Sequence, residues 1–166
     1  SFNPCHTNHI DVLVSAKERL EKEFGEGCVL AGFFAISVDG YVQHKLKNEA
    51  MKGIHRLEMC RMAMKDHYWM VPSKSTCASA QEFLTKHFQK QHGITSVIVT
   101  GGDRANVNKA LEKKDFYSVI VGRKGYTEKI AGQFNTDEIS SDKRVLFSSN
   151  EVGDISSTVI RKELEL

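Results

Sequence analysis

The stretch Cys28-Val29-Leu30-Ala31-Gly32-Phe33-Phe34-Ala35-Ile36-Ser37 is an apolar run of strand length with no polar alternation. Such a run predicts a strand buried on both faces, the mark of a parallel sheet. Upstream, Ile10, Leu13, Val14 and Leu20 recur at helical spacing, which predicts a helix over about His9–Glu23, stopped by Gly25 and Gly27. Downstream, Val38–Ala50 reads as a polar loop and Met51 to about Asp66 as a helix. Tyr68–Val71 reads as a short strand closed by Pro72, and Ser79–His92 as a helix with Phe83, Leu84 and Phe88 inward. Ile94–Thr100 reads as a strand entering Gly101-Gly102-Asp103, with a short helix after it. Strands at Tyr117–Val121 and Arg144–Phe147, a short helix near Thr127–Ala131 and a helix from about Ser156 complete the pattern. Strands alternating with helices predict an α/β domain with a mostly parallel sheet. In such sheets ligands bind beyond the carboxyl ends of the strands, where strands hand over to helices.

Composition narrows the class. The chain has 166 residues, 40% hydrophobic and 27% charged, which fits one globular domain able to bury its own core. No apolar run approaches the roughly 20 residues that span a bilayer. Ser1-Phe2-Asn3-Pro4 lacks the basic-then-apolar pattern of a signal peptide. Cys5, Cys28, Cys60 and Cys77 form no CxxC pair, so a disulfide framework or zinc site is not expected. A reducing home inside the cell, cytoplasmic or nuclear, is the expectation. Formal charge is +2 with both signs interspersed, which argues against a dedicated nucleic-acid binder and leaves a small anionic partner open.

Three constellations can carry chemistry. Ser1-Phe2-Asn3-Pro4-Cys5-His6-Thr7-Asn8-His9 sets two histidines three apart on a turn entering a helix. Imidazoles, free N–H groups and partial positive charge at that end favour phosphate, although capping or a surface role explains two such histidines as simply. No third ligand has metal-site spacing, so no metal ligands are assigned. Gly153-Asp154-Ile155-Ser156-Ser157-Thr158-Val159-Ile160-Arg161 predicts a helix capped by Asp154 or Ser156, with hydroxyls in its first turn. Arg161 follows Ser157 by four residues and shares its face, so this segment is either a phosphate cradle or a serine-rich cap beside a solvated arginine. Thr100-Gly101-Gly102-Asp103 either lets the backbone approach a nucleotide or is a turn with Asp103 as N-cap.

In order, SFNPxHxxH near the start and ISSTxIR near the end resemble the paired signature of the HxGH-type nucleotidylyltransferases. The likeness is greatest to the nicotinamide or nicotinate mononucleotide adenylyltransferases. It extends through Tyr41 and Lys45, His55-Arg56, Gly101-Gly102-Asp103 and Val121-Gly122-Arg123. The resemblance implies a Rossmann-like nucleotidylyltransferase fold with a mostly parallel central sheet flanked by helices. It implies one domain over residues 1–166, without the strand that precedes the Ser-Phe-Asn-Pro turn in the family and without the family's closing helical segment. It also implies in-line attack by the acceptor's phosphate on the α-phosphorus of ATP, releasing pyrophosphate, with no covalent enzyme intermediate.

By the same likeness His9 would contact the α-phosphate as first catalytic residue, with His6 assisting. Ser1, Phe2, His6, His9, Ser157, Thr158, Ile160 and Arg161 would hold ATP, with Mg²⁺ on its phosphates. Lys45, Gly101, Asp103 and Arg123 would face the acceptor. The expected partners are therefore ATP and a phosphorylated small molecule, with neither nucleic acid nor membrane, and a homo-oligomer is left open.

Two departures from the family bear on the acceptor. Where the family has consecutive lysines, this chain reads Val42-Gln43-His44-Lys45, leaving Lys45 or a pH-dependent His44 as the cation. The aromatic pair that would sandwich a pyridine ring is not evident: Trp69 aligns with a strand, the neighbourhood Ser73-Lys74-Ser75-Thr76 lacks rings, and Phe116 and Tyr117 read as strand. These departures keep two other readings open, transfer to a different acceptor such as phosphopantetheine, or a nucleotide-binding module without turnover.

Overall fold

The computed structural model describes residues 1–74, 77–89, 92–112, 117–134 and 144–164. Helix α1 (Thr7–Phe24) leads into strand β1 (Gly32–Ala35), helices α2 (Asp39–Leu46) and α3 (Gly53–Ala63), and strand β2 (Met70–Ser73). Then follow α4 (Cys77–Leu84), β3 (Val97–Gly101), α5 (Val107–Glu112), β4 (Tyr117–Arg123), α6 (Thr127–Gln133), β5 (Val145–Val152) and α7 (Ser157–Glu163). Among the described residues the strands form two parallel sheets, β1-β2 and β3-β4-β5. Parallel strands alternating with helices are the α/β arrangement that the sequence pattern leads one to expect.

Strand β4 shows why the larger sheet is covered on both faces. Val119, Ile120 and Val121 are consecutive, β-branched and at most 2% exposed. Their side chains alternate between layers. Val119 and Val121 pack with Ala16 and Leu20 of α1 and with Leu146 and Val152 of β5. Ile120 packs on the other face with Val107 of α5, Ile130 of α6 and Val145. Helix α1 serves both sheets, because another of its faces sets Ile10, Leu13 and Val14 against Phe34, Ile36, Cys60, Met64 and Met70.

The decisive apolar stretch is shorter as a strand than its composition predicts. Only Gly32–Ala35 pairs, and it is buried on one face: Phe34 is 2% exposed, whereas Phe33 is 43% and Leu30 67% exposed. Phe33 lies opposite Val71, which is equally open, so the small sheet is one-sided among the described residues. The stretch read as a polar loop is instead α2 followed by a 3-10 turn, Lys47–Glu49. One fully buried residue, Val42, anchors it, which is too few apolar positions to produce a period. Pro72 sits inside β2 rather than after it, opposite Phe34 on a strand that is paired on one side only.

Helix α4 ends at Leu84 and continues as a π-type turn, Thr85–Gln89, with Phe83 55% exposed rather than inward. The rest of its expected length crosses residues 90 and 91, which lie outside the described residues, as do Ser75, Thr76 and Phe116. β5 runs on to Val152, five residues past the apolar Val145-Leu146-Phe147: Ser149, Asn150 and Glu151 are exposed, and the strand returns to the core and the ladder at Val152, opposite Arg123. The register shift between Val121 and Arg123 places the extra residues on β5. No helix among the described residues is long and apolar enough to cross a membrane. Cys5, Cys28 and Cys60 are free.

Candidate active site

The turn before α1 is held by its carbonyls. Phe2 adopts a left-handed conformation, φ 54°, and the Asn3–Pro4 peptide is cis. Asn3 is fully buried: its Nδ2 donates to Glu49 O at 2.9 Å, and its Oδ1 accepts from Met51 N at 2.8 Å. Arg56 Nη1 donates to Ser1 O at 3.0 Å, Arg161 Nη1 to Asn3 O at 2.6 Å, and Ser157 Oγ to Pro4 O at 2.8 Å. Three carbonyls in four residues are thereby occupied by protein donors. Their negative ends are neutralised within the fold, which favours an anion on the remaining side of the turn.

His6 is the N-cap of α1 and His9 its third residue. The rings lie 3.8 Å apart between centroids, and Phe2 meets the His9 ring edge-on at 4.8 Å. The His6 backbone N–H donates to His9 Nδ1 at 3.3 Å, so Nδ1 is an acceptor and Nε2 carries the proton of the neutral ring. Burial holds His9 down to about 3, helped by His6, the Ser1 amino group and Arg123. Burial and then Arg123 hold His6 down to about 4. Both imidazoles are neutral at physiological pH, His9 offering an Nε2–H donor. His6 Nδ1 is buried and has no hydrogen-bond partner among the described residues.

The second motif closes on the first. Ser156 is the N-cap of α7, its Oγ accepting from Val159 N at 3.2 Å, while Asp154 pairs with Lys124 instead. Ile160 lies within the helix, its N–H on Ser156 O at 3.1 Å. Thr158 is exposed, and its Oγ1 accepts from Arg161 Nη2 at 3.4 Å. Arg161 is not a solvated arginine. It is 6% exposed and is also bound through Nε to Glu49 Oε2 at 2.7 Å and through Nη1 to Ser157 O at 3.1 Å.

The remaining candidates gather beside the same turn. Asp103 lies within a 3-10 turn, Gly102–Arg104, whose N-cap is Gly101, so Asp103 is not the cap. Its carboxylate pairs with Arg123 at 3.0 Å, and Arg123 reaches both histidines electrostatically. A methyl at Gly101 would meet Asp103 Oδ1 at 3.1 Å, but the closer squeeze is at Gly102, where it would meet Ile130 Cδ1 at 2.9 Å and Val121 O at 3.3 Å. Gly102 thus serves strand packing. Lys45, exposed in the last turn of α2, acts on the Ser1 amino group, whose pKa is lowered by burial first, then Arg104, Lys45 and Arg56.

Arg104, Arg56, Asn3 and Glu49 belong to this site without having been assigned a part in it from the sequence. Arg104 had one visible signal, its place directly after Gly-Gly-Asp. Apart from the Arg56–Met51 bond, 5 residues long, the partners of the others are 17 to 158 residues away, beyond any local pattern. Trp69 lies apart. A methyl at Gly32 would meet its ring at 2.6 Å, and Lys17 Nζ stands 5.9 Å from its ring centroid. Among the described residues no three His, Cys, Asp or Glu side chains cluster as metal ligands would.

Two comparisons show what the chain as a whole is similar to. The sequence fits the family model described as cytidylyltransferase-like over residues 1–163. It is 24% identical over 178 aligned residues to a protein of Clostridium novyi (strain NT) named "Probable nicotinate-nucleotide adenylyltransferase", spanning 99% of this chain and 84% of that relative.

Proposed function

The chain belongs to the cytidylyltransferase-like family and is a nucleotidyltransferase, and on that premise we propose that it transfers AMP from ATP to the phosphate of nicotinate or nicotinamide mononucleotide, forming the dinucleotide and releasing pyrophosphate. The observation that carries the reading is the closure of the two motifs. Ser157 Oγ and Arg161 Nη1 donate to the carbonyls of Pro4 and Asn3, which directly precede Cys5-His6. One bound polyphosphate would then meet both motifs at once.

In this reading His9 Nε2–H donates to an oxygen of the α-phosphoryl as charge builds there, and His6 serves a neighbouring oxygen. The acceptor's phosphate is the nucleophile, the α-phosphorus–oxygen bond to pyrophosphate breaks, and no protein atom is modified. Ser157, Thr158, Ile160 and Arg161 frame the β- and γ-phosphates. Arg161 and Ser157 act by holding the segment to the turn, since the guanidinium is occupied by Asn3, Ser157 and Glu49 and the Ser157 hydroxyl proton by Pro4 O. Ser1 and Phe2 bound the nucleotide. Lys45, Gly101, Asp103 and Arg123 stand toward the acceptor, with Arg104 added to them. Mg²⁺ would arrive on the triphosphate, which suits a divalent ion that keeps its waters and takes few protein ligands.

The name of the relative supports a pyridine mononucleotide as acceptor. A second acceptor class is favoured by the surroundings of Trp69, whose ring is packed on Gly32 with Lys17 Nζ beside it. Without a stacking partner, recognition of a pyridine ring forgoes about 1 kcal/mol. Pyrophosphate release from Mg·ATP against a panel of phosphorylated acceptors separates the two. Release with nicotinate or nicotinamide mononucleotide, with dinucleotide forming in step, is expected. Silence with both and release with another acceptor would overturn the pyridine assignment and keep the chemistry.

A further inference from the structure

Asn8 lies between the two histidines, and its side chain does something neither of them does. It is 7% exposed, and its Nδ2 donates to Gly153 O at 2.5 Å and to Ile155 O at 2.9 Å, spanning 145 and 147 residues of sequence. Gly153–Ser156 is the connector from β5 to the Ser157–Thr158 hydroxyls. It is itself exposed at Gly153, Asp154 and Ile155, where the ion pair Lys124–Asp154 has side chains 71% and 65% exposed. An exposed ion pair fixes little. The buried amide therefore holds the connector itself to the first turn of α1, alongside the Ser157 and Arg161 bonds that hold α7 to the preceding turn. The contact is tight from the other side too: a methyl at Gly153 would come within 3.1 Å of Asn8 Oδ1, and the amide cannot swing aside without losing both bonds.

We propose that Asn8 is a positioning residue that fixes the spacing between the His6–His9 pair and the first turn of α7, where Thr158 offers its hydroxyl, so that a single polyphosphate is held by both. The proposal rests on the nucleotide reading of the site. Asn8 touches neither ligand nor reacting atoms; its two hydrogen bonds are to main-chain carbonyls. Its effect is confined to ligands long enough to span both motifs. A monophosphate reaches one motif only and is indifferent to the spacing.

The test compares the affinities of Mg·ATP and AMP for the wild-type chain, Asn8→Ala and Gly153→Ala by calorimetry, with thermal unfolding as a control. The two substitutions attack one contact from opposite ends, so a folding failure in either leaves the other decisive. Wild type should prefer ATP to AMP, and each folded variant should lose about tenfold in ATP affinity while AMP affinity holds. A merely structural role would lower the unfolding midpoint and weaken both ligands alike, which would overturn the proposal. Unchanged ATP affinity in both variants would also overturn it. Wild type that does not distinguish ATP from AMP would instead remove the two-motif reading of the site.

Discussion

His9 has its tautomer chosen by a main-chain N–H. Because His6 N–H donates to Nδ1, a second proton on the ring would break that bond as well as place a charge in a half-buried site. The fold therefore holds His9 at about 3 and His6 at about 4, against an ordinary 6.5. In the unfolded chain both return to the ordinary value. Below 6.5 the unfolded chain binds protons that the native one refuses, so stability is complete above 6.5 and declines as pH falls toward 4 and then 3. Thermal unfolding between pH 7.5 and 4.5 should show this decline, and His6→Gln with His9→Gln should flatten it. An equally steep decline in the double variant would place the acid sensitivity elsewhere. The kinetic role of His9 is a separate matter. His9→Ala should lower kcat by about a hundredfold while ATP affinity changes little, since the contact strengthens as charge builds. Equal losses in both would assign His9 to ground-state binding.

At the scale of elements, what the sequence made legible follows the source of each signal. β4 is readable because Val119-Ile120-Val121 is buried on both faces and needs no partner to be recognised. α1 is readable because one helix serves two cores at helical spacing. α2 carries no helical signal in its sequence, because burying Val42 alone leaves no period. β1 was overextended because hydrophobicity marks what could be covered, and Leu30 and Phe33 remain open. The site divides similarly. Its histidines, Ser157 and Arg161 stood in contiguous motifs, while the grip on the turn by Asn3, Glu49 and Arg56 needed tertiary distances. Glycines were half legible: Gly101-Gly102 marked the turn, but the need for Gly102 comes from Ile130 on α6. Gly102→Ala should therefore destabilise the fold by about 1–3 kcal/mol in urea titration. An unchanged midpoint would mean that α6 shifts freely on the sheet.

At the scale of the whole molecule, the candidate site sits where parallel strands end. β3 delivers Gly101 and the Asp103 turn, the end of β4 delivers Arg123, and β5, bulged opposite it, delivers the connector to Ser157. α1 then ties these strands to its own histidine-bearing start, packing its length on both sheets. Arg56 reinforces the arrangement from α3. Fully buried, it donates to Ser1 O, Ser37 O and Met51 O and pairs with Asp39. Such a frame positions two anions against one another, and positioning with charge stabilisation is most of what phosphoryl chemistry asks of a protein. The central claim is that the α-phosphorus of ATP is the reacting atom, and ATP carrying one label at the α- and another at the γ-position tests it most directly. With Mg²⁺ and a mononucleotide acceptor, the α-label should appear in the dinucleotide and the γ-label in pyrophosphate. A γ-label transferred to the acceptor, or both labels still on bound ATP after every acceptor in the panel has been tried, would contradict the account.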